Sequence, residues 1–170
     1  CIENAKVIPV PLADELFNQD CQVNAKPILD IVWNHRWEFD KGPALLLAIV
    51  RELIARALPF RLHLLGQRFR SAPPEFVQLQ SLLDIHYGKS KITPGHCGFI
   101  EQQEDYWQCL RTSDVVLSTA FHDFQGLSLL EASALGCTPL APRRLVYPEY
   151  LPNECLYDDA ADIAEQSRSA

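Results

Sequence analysis

Methionine is absent from all 170 residues. With no initiator, the expectation is a piece of a longer protein or a processed product. Cysteine occurs at positions 1, 21, 97, 109, 137 and 155, and no two of these form a CxxC pair. That spacing removes a zinc ribbon and a thioredoxin-type redox motif. Cys97, Cys109 and Cys137 lie in or beside apolar segments, which predicts reduced, buried thiols and a cytoplasmic setting rather than a disulfide framework. No apolar run is long enough to span a membrane, and no signal-peptide pattern is present. The histidines (His35, His63, His86, His96 and His122) show no metal-ligand spacing, so no metal is expected. GxGxxG, GxxxxGK[ST] and GxSxG are all missing, which weakens readings as a NAD enzyme, a P-loop NTPase or a serine hydrolase. There is no internal repeat and no low-complexity linker.

What is present reads as one globular domain. The length allows a real core, and 48% apolar with 22% charged residues excludes a disordered chain. The net charge of -7 argues against a surface built mainly to hold nucleic acid or anionic lipid. It leaves room for a local basic phosphate site. Short apolar strands alternate with helical runs. Strands are predicted at 30–34, 60–66, near the end of 91–100, at 114–120, at 137–142 and at 154–159. Helices are predicted at 43–58, where Pro43 sits in the first turn, at 75–88 and 126–136, each stopped by glycine, and at 104–113. The segment 8–12 reads as an edge or connecting strand because of its prolines, and the tail as helical. Residues 1–29 are a connecting segment with an edge strand, and 30–170 form the main domain. The alternation predicts an α/β, Rossmann-like parallel sheet with helices on both faces. Ligands bind beyond the carboxyl ends of such strands. The stretches 35–42, 66–74 and 121–126 lie there.

Two of these stretches carry chemistry. HRWEFDKG (35–42) places His35, Arg36 and Lys41 in one strand-to-helix loop, where a guanidinium and an ammonium suit a diphosphate. The alternative is a solvated loop in which Arg36 pairs with Glu38 or Asp40. In FHDFQGLSLLEASALGC (121–137), Gly126 opens a helix and lets a phosphate approach the amides of Leu127 and Ser128. Glu131 lies one turn past Leu127, where a carboxylate can accept hydrogen bonds from two vicinal hydroxyls of a ribose. Asp123, in the loop before the helix, faces the same mouth. The alternative has Glu131 at a helix surface and Asp123 capping a turn. Trp37, Phe39 and Tyr106 read as packing residues. Gly98, Phe99 and Ile100, ending the third strand, are placed to put backbone groups beside a nucleobase.

The run DFQGLSLLEASALGCTPLAP resembles the signature of retaining GT-B glycosyltransferases of family 4, whose pattern E-x7-E precedes a helix and a short strand. WNHRWEFDKGP (33–43) and GCTPLAPRRLVYPEYLP (136–152) are similar to the tRNA-queuosine mannosyltransferase group of that family. The resemblance covers residues 28 to 152. It implies that this chain is the C-terminal, donor-binding half of a GT-B fold. Arg36 and Lys41 would hold the donor diphosphate, and Gly126 with the following amides would support it. Glu131 would bind the ribose hydroxyls, Asp123 would contact the transferred sugar, and Gly98–Ile100 would line the base. The catalytic roles fall to Asp123, Arg36 and Lys41. Here the sequence departs from the pattern, with Asp123 for glutamate and Gln125 for phenylalanine.

The implied activity is transfer from a nucleotide-diphosphate sugar, GDP-mannose being favoured, without a metal or other cofactor. The implied partners are a missing N-terminal domain and, through it, a tRNA acceptor carrying queuosine. The half-enzyme is expected to be inactive alone. Two other classes compete: a Rossmann-like binding domain with a degenerate nucleotide site, and a phosphosugar epimerase of related architecture.

Overall fold

The computed structural model describes Leu12, Leu16 and residues 26–158. Strand β1 (Leu29–Asn34) is buried from Asp30 onward. Such burial suits a strand paired on both sides and covered on both faces. Its neighbours are β2 (Phe60–Leu65) and β4 (Val115–Leu117), both parallel to it. Beyond β2 lies β3 (Cys97–Gly98), and beyond β4 lie β5 (Thr138–Pro142) and β6 (Leu156–Tyr157). The order β3-β2-β1-β4-β5-β6 makes one six-stranded parallel sheet.

Four helices connect the strands: α1 (Pro43–Ala55), α2 (Glu75–Lys89), α3 (Gln103–Arg111) and α4 (Leu127–Ala134). Alternate residues of β1 point to opposite faces, so each face gathers its own core. Ile31 and Trp33 meet Leu46 and Val50 of α1 and Phe76 and Leu79 of α2. Val32 meets Trp107 and Leu110 of α3 and Leu129 and Ala132 of α4. Leu46, Leu79, Leu110 and Leu129 are fully inaccessible. Truncating any of them to alanine costs about 2–5 kcal/mol.

Several boundaries differ from the sequence expectation. Gly88 does not stop α2, which runs to Lys89 and ends where Ser90 turns extended (φ -102, ψ 165). Helix α1 stops at Ala55, short of the predicted Leu58, because Ala57 is left-handed (φ 53). β4 covers only three of the seven residues predicted for it. The last predicted strand is reduced to Leu156–Tyr157 after a 3-10 turn at Asn153–Cys155. Helix α4 is followed by Gly136 in the left-handed region (φ 102), the expected glycine stop. The expected edge strand at 8–12, apart from Leu12, and the helical tail lie outside the described residues. Cys137 and Cys155 are buried and Cys109 is half-buried, whereas Cys97 departs from the expectation and is exposed, on edge strand β3. Cys1 and Cys21 are outside the described residues. No helix among the described residues is long and apolar enough to cross a membrane.

The strand order reverses between β1 and β4. Chain leaving their carboxyl ends diverges to opposite faces, and a crevice opens there.

Candidate functional site

Two loops form the floor of this crevice, and backbone bonds stitch them together. The amides of Phe121 and His122 donate to the carbonyl of Asp40 at 2.8 and 3.2 Å. The Thr119 hydroxyl donates to the carbonyl of Lys41 at 2.7 Å and accepts the Trp33 indole N–H at 2.9 Å. Gly42 takes the left-handed conformation (φ 65) at the start of α1, against the backbone of Thr119, where a side chain would collide. Trp37 anchors the first loop from below. It is buried, stacks on Phe76 at 4.8 Å between centroids, and donates to the Leu65 carbonyl.

A cavity of about 450 Å³ lies between the loops, lined by Arg36, Lys41, Asp123, Leu127 and Ser128 among others. Gly126 caps α4 in the left-handed conformation (φ 66). Its own amide donates to Asp123 Oδ1 at 2.9 Å. The amides of Leu127 and Ser128, at the positive end of the helix, make no hydrogen bond among the described residues. Lys41 Nζ donates to the His122 carbonyl at 2.8 Å and sits 3.4 Å from Asp40 and 3.7 Å from Asp123. Arg36 is more exposed and forms a two-pronged pair with Glu38 at 3.1 and 3.3 Å. An exposed pair of this kind is worth about 0–1 kcal/mol, so the guanidinium exchanges partners easily. Burial works to raise the Asp123 carboxyl, but the Gly126 amide and the Lys41 charge outweigh it and hold it below the usual carboxylate range. It is ionised at neutral pH.

His35 forms the wall between this cavity and the next. It is 5% exposed, and Nδ1 lies 3.3 Å from the Ser128 hydroxyl. Nε2 has no hydrogen-bond partner among the described residues. Burial first, and then the Lys41 charge, push its pKa down to about 4. The ring is neutral at physiological pH.

A second cavity of about 430 Å³ adjoins the first at Asn34, His35 and Arg36. Phe99, Ile100, Glu101, Tyr106 and Glu131 are among its lining residues. Glu131 is clamped by α3: the Tyr106 hydroxyl donates to Oε2 at 2.9 Å and the Trp107 indole to Oε1 at 3.1 Å. Asn34 Nδ2 donates to Tyr106 Oη at 3.0 Å and to the Ser128 carbonyl at 2.8 Å. A carboxylate has about four lone-pair sites. Two are taken by α3, which leaves acceptor capacity for a ligand.

The structure therefore brings Arg36, Lys41, Asp123, Leu127 and Ser128 to one cavity, and Phe99, Ile100 and Glu131 to the neighbouring one. Gly98 lines neither; its carbonyl accepts the Gly66 amide inside the sheet. The surface-pair alternative for Arg36 and the capping alternative for Asp123 are both realised in the geometry. Trp37 is a packing residue as expected, Phe39 is instead 66% exposed, and Tyr106 is a hydrogen-bonding residue of the site. Asn34 and Trp107 also belong to the site and were not singled out in the sequence, whereas His35, read there as part of the strand-to-helix loop without a role of its own, lines both cavities. A strand-end Asn-His pair beside the basic loop was the available signal. Among the described residues no cluster of His, Cys, Asp or Glu is arranged to hold a metal ion.

No family model matches the chain. Among curated proteins it is 39% identical over 138 residues to the tRNA-queuosine alpha-mannosyltransferase of Drosophila melanogaster, a match covering 81% of this chain and 34% of that protein. The chain thus spans about a third of that relative's length. Among solved structures, a trehalose-6-phosphate synthase studied for glycosyltransfer with retention superposes with a TM-score of 0.62 at 18% identity, covering 92% of this chain and 40% of that one. The catalytic domain of the cholesterol-alpha-glucosyltransferase from Helicobacter pylori superposes with a TM-score of 0.58 at 19% identity, covering 84% of each chain. At these identities the structures speak for the fold.

Proposed function

We propose that this chain, which has the fold of a GT-B glycosyltransferase C-terminal domain and a mannosyltransferase among its sequence relatives, binds the nucleotide-sugar donor of a retaining, family 4-like glycosyltransferase. The carrying observation is the pair of adjoining cavities at the strand-order crevice. One holds a clamped carboxylate and the other the start of a helix, its first amides unpaired among the described residues, beside two cations. A nucleoside lies with its base against Phe99 and Ile100 and its ribose hydroxyls on Glu131. Its diphosphate crosses the wall at Asn34 and His35 and reaches the amides of Leu127 and Ser128. Arg36 leaves Glu38 to pair with the phosphate, and Lys41 supports it from below. As the glycosidic bond breaks, negative charge builds on the departing diphosphate. Lys41 and the helix amides line that cavity beforehand and Arg36 joins them on leaving Glu38, the electrostatic stabilisation that lowers such barriers. No metal is required for that charge balance.

The transferred sugar is mannose and the acceptor queuosine in a tRNA, by analogy with the named relative, and GDP is the carrier favoured by the family resemblance. The remainder of the enzyme, an N-terminal domain, receives the acceptor and completes the catalytic site, so this half alone is inactive. The net charge of -7 agrees with RNA contacts lying elsewhere. Asp123 meets the sugar through its remaining lone pairs while accepting the Gly126 amide.

The test is calorimetric titration of the chain with GDP, UDP, ADP and GDP-mannose in chelator. Selective binding of the guanine compounds supports the proposal. A well-folded chain that binds none of them supports the competing reading, a Rossmann-like binding domain with a degenerate site. The commitment of Asp123 Oδ1 to the Gly126 amide is the observation in that reading's favour.

A further inference from the structure

We propose that Tyr106 is a positioning residue that aims the Glu131 carboxylate at the ribose hydroxyls and so sets the preference of this site for ribonucleotides over deoxyribonucleotides. This rests on the donor-site reading and adds to it a residue from another element, acting through Glu131.

A glutamate on a helix has free rotation about its side-chain bonds, and fixing it costs entropy each time a ligand binds. Here that cost is met in the fold. Tyr106 Oη holds Oε2 at 2.9 Å and Trp107 Nε1 holds Oε1 at 3.1 Å. The two donors are consecutive residues of α3 and grip opposite oxygens, so the carboxylate plane is fixed. Tyr106 is itself fixed. Its oxygen accepts from Asn34 Nδ2, whose other proton goes to the Ser128 carbonyl in the first turn of α4. The hydroxyl proton therefore has one destination, Glu131. Burial, and next the Glu131 charge, raise the Tyr106 pKa far above its ordinary value, so the hydroxyl remains a donor at every working pH.

The same chain of bonds joins the two cavities. Asn34 lines both, Tyr106 and Glu131 line the nucleoside side, and Ser128 lines the phosphate side. Asn34 Oδ1 is buried with no partner among the described residues, in a side chain that lines the same cavity as Glu131. A 2′-hydroxyl and a 3′-hydroxyl both need acceptors, and a fixed carboxylate supplies them at a set spacing. A deoxyribose offers one donor fewer and leaves one acceptor unpaired. A loose carboxylate discriminates less, because it can turn to follow a single hydroxyl.

The experiment measures affinities of the full chain for GDP and UDP, each beside its 2′-deoxy counterpart, in wild type, Tyr106→Phe and Glu131→Gln. Phenylalanine keeps the ring and its packing, and a thermal melt checks the fold of each variant. Wild type is expected to prefer the ribonucleotide by about tenfold, the worth of one hydrogen bond to a charged group. Tyr106→Phe is expected to bring that ratio to about threefold or less, close to the ratio of Glu131→Gln, mainly by weakening the ribonucleotide. A packing role alone would weaken both ligands equally and leave the ratio intact. If wild type binds a nucleotide and Tyr106→Phe keeps the full ratio, Tyr106 does not position Glu131 and the inference is wrong. If wild type binds neither GDP nor UDP, the donor reading falls, and this inference falls with it.

Discussion

Lys41 donates through Nζ to the carbonyl of His122 at 2.8 Å, joining two loops 81 residues apart in sequence. Its side chain is only 11% exposed, and Asp40 and Asp123 stand 3.4 and 3.7 Å away. One ammonium thus holds the phosphate-side cavity in shape while carrying part of its positive charge. Replacing Lys41 with alanine is expected to lower stability by about 1–2 kcal/mol, from the lost charged hydrogen bond, and to weaken diphosphate binding at least tenfold. Arginine at this position restores little, because a planar fork cannot replace a compact ammonium facing three acceptors. Thermal melts and GDP titrations of both variants check this.

Arg36 presents the opposite case. Its pair with Glu38 is exposed, so Arg36→Ala should change stability by less than about 0.5 kcal/mol while weakening donor binding. Glu38 competes with the phosphate for that guanidinium. Glu38→Gln is therefore expected to tighten GDP binding by about two- to fivefold, the worth of releasing a surface pair. Unchanged affinity in Arg36→Ala, Lys41→Ala and Glu131→Ala together would sink the donor-site proposal.

The sheet and the order of its helices were legible because their signals are local. Pro43 followed by a wide apolar face is a helix whatever packs against it, and the consecutive apolar residues Ile31, Val32 and Trp33 of β1, which put apolar side chains on both faces, suit a central strand. Gly88 misled for a local reason too. Its φ is not positive and no neighbour approaches the place of its missing side chain, so glycine there is a tolerated residue and not a stop. The site was half legible. Arg36, Lys41 and Gly126 lie in loops and at a helix start whose place in the sheet follows from the alternation, and Glu131 follows one turn into the same helix. The Tyr106 and Trp107 clamp on Glu131 was not legible. It spans 25 and 24 residues and depends on the rotation of α3 against α4, which packing sets. The exposure of Arg36 and the burial of Lys41, five residues apart, likewise depend on how the 35–42 loop bonds to residues 119–122.

His35 gives the fold a pH dependence with a definite sign. Its folded pKa is lowered to about 4, below the ordinary value of 6.5, by burial and then by Lys41. Between those values the unfolded chain binds the proton and the folded chain does not. Stability contributed by the neutral ring is thus complete above about pH 6.5 and is lost as pH falls toward 4, amounting to about 3 kcal/mol. Asp123, whose folded pKa is depressed, adds a loss at lower pH, as its carboxylate protonates. Urea unfolding from pH 7.5 to 4 should therefore show a falling midpoint in wild type. In His35→Gln the drop between pH 6.5 and 4 should be smaller, whatever its stability at pH 7.5.

Gly126 and Gly88 should respond to alanine with opposite signs. Gly126 is left-handed, and an added methyl would strike the Tyr150 hydroxyl and the Tyr147 ring. Neither can retreat freely. Tyr147 is fully buried with its hydroxyl 2.8 Å from Ser118 Oγ and 3.3 Å from Asp123, and Tyr150 donates to the Gln125 carbonyl at 3.2 Å. Displacing them disturbs Asp123 and the helix start together. Gly126→Ala is expected to cost about 1–3 kcal/mol from backbone strain, more with the clash, and to abolish diphosphate binding. Gly88 lies in the last turn of α2 with open space around it, so Gly88→Ala should raise stability by about 0.5–1 kcal/mol and leave nucleotide binding unchanged. Urea denaturation of the two variants, with GDP titrations alongside, separates the outcomes. A Gly126→Ala protein as stable as wild type would mean that the chain does not enter α4 through a left-handed residue, and the phosphate cradle would lose its geometry.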